Sequence, residues 1–408
     1  MLNDAKTICL NSINKCLPQK AVKEALRNHV FNNDVYLVAV GKAAFSMALA
    51  AVEAIKIKRG IVISKYGHIK GDLENIDCYE AGHPILDKNT LKATQKAISL
   101  VSNLKESDTV LFLLSGGASS LFESCELDLD QLQDINDQML RKGLNINQIN
   151  TIRKKLSEVK GGKFADLCKP ANVYSIILSD VLNDQLDIIG SGPTVKDSTD
   201  AEDALKIIDG FNLEISEEAF NIIRNSKSGI ADNAENVVVG SVRILCENAA
   251  IEARNLGYRP ILLTDNLDVD CEKARIMFKE NIEKYINSNE NIALIAGGEI
   301  TVNVKGNGLG GRNQQLALSL TRDIKGLDNV LFISLGSDGT DGPTDAAGAY
   351  VDGRSYQKII EMNIDYDNTL ENNDAYHALE RINGLIKTGP TGTNVNDIML
   401  VLIRKQAQ

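Results

Sequence analysis

Apolar residues gather into short, recurring runs along the chain. "VYLVAV" (35–40), "GIVIS" (60–64), "TVLFLLS" (109–115), "VYSIILSD" (173–180), "NVVVG" (236–240), "RPILLT" (259–264), "NIALIAGG" (291–298), "NVLFISLGSD" (329–338) and "DIMLVLIRK" (397–405) all have strand length. Several show no polar alternation, the pattern of strands covered on both faces. Helical stretches lie between many of them, at 43–55, 87–104, 241–256 and 270–286. Strands alternating with helices of this length predict parallel α/β sheets with helices on both sides. "EITVNVK" (299–305) does alternate, with Thr301, Asn303 and Lys305 set against Val302 and Val304, and reads as a half-exposed strand.

Two regions depart from this rhythm. Residues 126–168 contain no strand-like run and read as consecutive helices, and 200–228 reads as a second helical pair. The polar, turn-rich "NSKSGIADNAEN" then marks a boundary near 230–240, dividing the chain into 1–235, with a helical insertion, and 236–408. A length of 408 residues accommodates two or three domains at about 150 residues each.

Composition narrows the function classes. Hydrophobic residues make up 43% and charged residues 24%, and the net charge is −11. That balance argues against a nucleic-acid groove or an anionic membrane surface, so an anionic ligand would need a local cationic pocket. No apolar run approaches the ~18 residues of a membrane span, and no secretory signal is visible at the start. The seven cysteines are scattered without C-x-x-C, as reduced core thiols of a cytoplasmic protein would be. Four scattered histidines without H-E-x-x-H make a zinc hydrolase improbable.

In open α/β sheets ligands bind beyond the carboxyl ends of the strands. Those ends carry Gly41-Lys42-Ala43, Ser115-Gly116-Gly117-Ala118-Ser119, Ser179-Asp180, Gly297-Gly298-Glu299 and Ser337-Asp338-Gly339. Small residues beside one charge suit a polyanion, because backbone N–H groups must approach it closely. "VAVGKAAF" lacks the glycine loop and Ser/Thr of a Walker A motif. Lys42 is placed at the first turn of a helix, where the macrodipole disfavours a cation, which suggests an anion between them. The alternative is an exposed turn lysine. Ser115, Gly116, Gly117 and Ser119 read as an anion nest, or as a tight turn needing glycine for geometry alone. Asp180 ends a strand and could bind Mg²⁺ or accept a hydroxyl proton; Asp184 and Asp187 follow it and read more readily as solvated loop carboxylates. Asp338, Asp341 and Asp345 stand in "GSDGTDGPTDAAGA", which helps hold Mg²⁺, braces a phosphate loop, or only caps its own turns.

"KGNGLGGRNQQLALSL" (305–320) contains G-x-G-x-x-G at Gly306, Gly308 and Gly311, the pattern of a dinucleotide turn. Such a turn grows from a buried strand, and here a half-exposed one precedes it. Arg312 opens a helix at the same dipole-opposed place as Lys42. Two cations at helix starts, each after glycine, favour presentation of Arg312 to a phosphate or carboxylate, with Gly310, Gly311 and Asn313 beside it. A nicotinamide turn and a purely structural loop are the rival readings.

Taken in order, "GKAAFSMA", "GHPILD", "LSGGASSL", "KLSEVKGGKFA", "LSDVLNDQLDIIGSGPT", "GGEITVNVKGNGLGGRNQQLAL", "GSDGTDGPTDAAGA" and "TGPTGTNVNDI" resemble the class II glycerate 2-kinases, whose C-terminal part is a MOFRL-type domain. The resemblance spans nearly the whole chain. It implies two three-layer α/β/α domains around a deep cleft, the N-terminal one Rossmann-like and the C-terminal one with a mixed sheet. It also implies MgATP-dependent phosphorylation of D-glycerate to 2-phosphoglycerate, with catalytic roles at Lys42, Asp180 and Arg312. Asp180, Asp184 and Asp338 are the expected Mg²⁺ ligands, and a homodimer is compatible with the reading. Family members were often labelled hydroxypyruvate reductases, so an NADH-dependent reductase is the rival activity. Asn183 stands where the family usually has Gly, and Gly190 where it has Ala.

Overall fold

The structure, a computed structural model, describes residues 1–405. It divides into two compact units, one formed by Pro18–Val239 and one by Met1–Leu17 with the described residues from Gly240 onward. The strands of the first are β1 (Val35–Val40), β2 (Arg59–Lys65), β3 (Ile76–Ala81), β4 (Thr109–Leu114), β5 (Asn172–Leu178) and β6 (Ala234–Gly240). They lie in the order β3-β2-β1-β4-β5-β6, and β1 to β5 are mutually parallel.

Why these runs lack alternation is clear from their packing. Val38, Val40, Phe112, Leu114 and Ile177 enter a core on one face of the sheet, while Leu37, Ala39, Leu111, Leu113 and Ile176 enter a second core on the other. With both faces covered by helices, each position must be apolar, and each Leu or Phe so buried contributes about 1.5–3 kcal/mol. The helical stretches 126–168 and 200–228 build a satellite core of their own, including Leu132, Ile135, Ile152, Leu156, Ile208 and Ile223.

The second unit holds β7 (Arg259–Leu267), β8 (Ile292–Gly298), β9 (Val330–Gly336), β10 (Gly348–Asp352), β11 (Leu385–Ile386) and β12 (Asp397–Ile403), ordered β11-β10-β9-β12-β8-β7. Only β7 and β8 pair in parallel; β12 runs antiparallel between β8 and β9, and β10 is antiparallel to both its neighbours. Apolar patterning therefore found the strands but not their direction. No helix separates β9 from β10, so the chain turns back on itself. β3 and β10 escaped the pattern because charged or small residues interrupt "IDCYEA" and "GAYVD".

Two further differences bear on the site. The helix Leu2–Lys15 packs on the helix Val242–Asn255, so the first residues fold with the C-terminal segment; its buried stripe is Ala5, Ile8, Cys9 and Ile13. The expected strand at 299–305 does not form. Beyond Gly298 only an isolated bridge joins Asp270 to Thr301, and Val304 is 73% exposed, so its alternation has no core to face. No helix among the described residues is long and apolar enough to cross a membrane.

Candidate active site

In the first unit the strand order reverses direction between β1 and β4, the topological switch point where open α/β sheets bind ligands. Lys42 and the Ser115–Gly117 turn meet there. The Lys42 N–H donates to Gly116 O at 2.9 Å, and Ala43 N–H to Ser115 Oγ at 3.1 Å. Gly41 has φ +120°, and a Cβ on it would lie 2.3 Å from Ser115 Oγ, so only glycine admits this approach. The helix begins at Ala44, with Ala43 as its N-cap. Lys42 therefore stands in the preceding turn rather than in the first helical turn, and its side chain is exposed.

Asp180 lies on the other side of the same turn. A Cβ on Gly116 would fall 2.2 Å from Asp180 Oδ2. Gly117 is left-handed, φ +86°, and starts the four-residue helix Ala118–Leu121 without a side-chain cap. Among the described residues, the N–H groups of Gly116, Gly117, Ala118 and Ser119 meet no protein acceptor. Ser119 is reached by Ser191 Oγ at 3.5 Å, which also donates to Asn150 Oδ1 at 2.9 Å. The turn thus joins unmatched donors, an ammonium and a carboxylate.

Asp184 lies four residues after Asp180, at the end of the single 3-10 turn Leu182–Asp184, at φ +49°. Its Oδ1 is buried without a hydrogen-bond partner. Asp187 is instead claimed by Lys154, at 3.2 Å, and Lys155 holds Asp197 at 2.6 Å, so two buried lysines anchor the loop that carries Asp180 and Asp184.

Arg312 belongs to the second unit. It opens the helix Arg312–Leu320, but the charge it meets comes from the protein itself. Its Nε donates to Asp397 Oδ2 at 2.5 Å and its Nη2 to Asp397 Oδ1 at 3.0 Å, while Nη1 pairs with Glu299. The helix N-terminus receives its own anion as well: Asn313 and Gln314 N–H donate to Asp341 at 3.1 and 2.8 Å. The dipole-opposed cation is thus balanced within the chain. Burial pushes the Asp397 carboxyl up to about 6, with the Arg312 fork opposing the rise, and it raises Asp341 as well. Those carboxylates and hydrogen bonds in turn hold the Arg312 guanidinium above its usual range against the cost of burial. Its side chain keeps 35% exposure.

Asn313 is 1% exposed and spends its amide on Asp341 and Ser334. Gly311 packs on Asp341, where a Cβ would lie 2.2 Å from Cγ, and Gly310 faces Asn373 and Ala375. Asp338 is turned to its own loop, its Oδ1 accepting from Thr340 N and Oγ1 at 2.9 and 3.0 Å.

The glycine loop argues against a dinucleotide turn. The N–H groups from Lys305 to Leu309 are already spent: Lys305 and Gly306 on Asn373 Oδ1, Asn307 on Asn372 Oδ1, Gly308 on Asn372 O and Leu309 on Asp374 Oδ1. A pyrophosphate cradle needs those donors free. The glycines are there because a neighbouring segment of the same chain lies against them; a Cβ on Gly306 or Gly308 would come within 2.5 Å of Asn372.

Residues 4–224 match the family described as Domain of unknown function (DUF4147), and residues 292–397 the MOFRL family. The D-glycerate 2-kinase of Thermotoga maritima is 45% identical over 406 residues, covering 97% of either chain. The chain belongs to the glycerate 2-kinase family. The glycerate 2-kinase of Pyrococcus horikoshii is 38% identical over 386 residues, 90% of this chain and 87% of that one. The crystal structure of glycerate kinase from Thermotoga maritima superimposes with a TM-score of 0.94 at 44% identity, covering 98% of this chain and 99% of that one.

Within the glycerate 2-kinase frame the two departures become intelligible. Asn183 takes φ +62°, a left-handed conformation that asparagine tolerates better than other non-glycine residues. Gly190 is also left-handed, at φ +60°. Sequence reasoning passed over His83, Asp397 and the Asn150–Ser191 pair. His83, Ser191 and Asp397 sit inside motifs that carry the family resemblance and Asn150 lies outside them, but nothing in the local sequence signals the partner of any of the four.

Proposed function

We propose that this chain transfers the γ-phosphoryl group of ATP to the 2-hydroxyl of D-glycerate, giving 2-phosphoglycerate. The observation that carries the reading is the turn at the switch point, where unmatched N–H groups, Lys42 and Asp180 converge on Gly116 and Gly117. Phosphoryl transfer asks for positioning and charge stabilisation more than covalent chemistry, and this turn supplies both. Lys42 stabilises charge on the transferring group. Ser115, Ser119 and the backbone donors hold an anionic oxygen of phosphate or glycerate. Arg312, kept rigid by Asp397 and Glu299, is the second catalytic cation; Gly310, Gly311 and Asn313 brace it.

The donor set fits Mg²⁺. Asp184 offers a buried oxygen without a partner on the loop that bears Asp180, whereas Asp338 has one oxygen engaged by Thr340. Among the described residues no three His, Cys, Asp or Glu side chains form a cage; Mg²⁺ is typically held by one or two carboxylates together with substrate phosphates. Bound there, it would neutralise phosphate charge. The seven thiols are free, in keeping with a reducing, cytoplasmic setting.

ADP release measured with D-glycerate and MgATP, beside NADH oxidation with hydroxypyruvate, tests the reading. Glycerate-dependent ADP release without NADH oxidation is expected; the reverse would overturn it.

A further inference from the structure

The switch-point turn has a neighbour that strand-end reasoning does not single out. A Cβ built on Gly117 would lie 2.9 Å from both Cδ2 and Nε2 of His83 and 3.3 Å from Lys42 Cε. An imidazole and a lysine stem therefore converge on one α-carbon, in the turn whose N–H groups are unmatched. The ring presents its Nε2 edge to that turn. His83 arrives just beyond β3, and the segment after it is pinned: Asp87 caps the next helix through Thr90 N at 3.0 Å and accepts from Tyr66 at 2.6 Å. On the far side of Lys42, His68 Nδ1 lies 2.9 Å from the Lys42 carbonyl.

Burial first, then the nearby charges of Lys42, Lys65 and His68, keep His83 below the ordinary imidazole range. A neutral imidazole adds little to the neutralisation of phosphate, which Lys42 already serves. It is suited to a hydroxyl, whose proton it can accept. The other base in reach of the turn, Asp180, shares its loop with Asp184, where a cation would draw on its charge.

We propose that His83 is a catalytic residue of the kinase reaction, its Nε2 accepting the hydrogen bond of the acceptor hydroxyl and then its proton. As the substrate oxygen forms its bond to the γ-phosphorus, the bond from that phosphorus to the bridging oxygen breaks, and ADP leaves with the electron pair. The hydroxyl proton passes to His83, and the adjacent Lys42 favours its onward release to water. This inference rests on the kinase reading above.

His83→Gln keeps a polar group near the reach of Nε2 but has no basic nitrogen. It should lower kcat by at least ~100-fold, the smaller end of what general base catalysis supplies, with the ATP KM changed by less than about threefold. Proton NMR gives a second readout. The C2–H resonance of His83, assigned by its loss in the Gln variant or, should that not fold, in His83→Asn, should shift when D-glycerate is added to the wild type. A folded Gln variant with kcat within about threefold of wild type, or a resonance unmoved at saturating D-glycerate, overturns the proposal. If the wild type itself releases no ADP with D-glycerate, the kinase reading has failed; a normal wild type beside an unaffected variant refutes His83 alone.

Discussion

Arg312 grips Asp397 with two nitrogens, Nε at 2.5 Å and Nη2 at 3.0 Å, and Asp397 is buried to 1% exposure. A fork of this kind fixes the guanidinium plane, which a point charge cannot do. Arg312→Lys should therefore retain the charge and lose most of the rate, and Arg312→Gln should lose roughly 10²–10³ in kcat, the scale of one essential electrostatic donor. The Gln change also leaves Asp397 without its main partner and should lower Tm. Steady-state kinetics and thermal melts of both variants check this; equal rates for all three proteins would remove Arg312 from the mechanism.

The same pair makes a pH prediction of definite sign. Asp397 has a folded pKa of about 6 against an ordinary value of 3.8. Between those two values the folded chain holds a proton that the unfolded chain has released, so this group's contribution to stability falls as pH rises through the window. It is fully present below 3.8 and lost above about 6. Asp397→Asn cannot titrate. The Tm of the variant minus that of the wild type should accordingly become more positive from pH 4 to pH 6 and flatten above it. A difference independent of pH would contradict the assignment.

Lys42 and Gly117 should separate charge from shape. Lys42 is exposed, so Lys42→Ala should leave Tm unchanged while lowering kcat by roughly 10²–10³. Gly117→Ala introduces a Cβ against His83 and Lys42 at φ +86°. The left-handed backbone alone costs about 1–2 kcal/mol, and the collision moves two side chains of the site. Gly117→Ala should thus lose both stability and turnover, where Lys42→Ala loses turnover only.

Activity should disappear with EDTA and return with Mg²⁺. Asp184→Asn should raise the Mg²⁺ concentration for half-maximal rate by about tenfold, the lower end of what losing a supporting ligand costs, without altering the fold. Full activity in metal-free buffer would dismiss the carboxylate assignments.

Much of this architecture is legible from local pattern alone. Burial on both faces forces unbroken apolar runs, so β1, β4, β5, β8, β9 and β12 announce themselves, and the helices between them follow from period. Strand ends then point to Lys42, Ser115–Gly117 and Asp180, because position beyond a parallel strand is a local property. What local pattern does not contain is which donor meets which acceptor across the chain. The "GNGLGG" loop carries the dinucleotide pattern until Asn372, Asn373 and Asp374, some 65 residues on, are seen to occupy its N–H groups from Gly306 to Leu309. Arg312 reads as an unpaired cation until Asp397, 85 residues on, is seen to hold its guanidinium. His83 reads as nothing until the fold sets it against Gly117. Hydrogen bonds and ion pairs of this kind are satisfied by groups brought close only when the sheets assemble, so their assignment belongs to the tertiary structure, while the strands that make the assembly possible belong to the sequence.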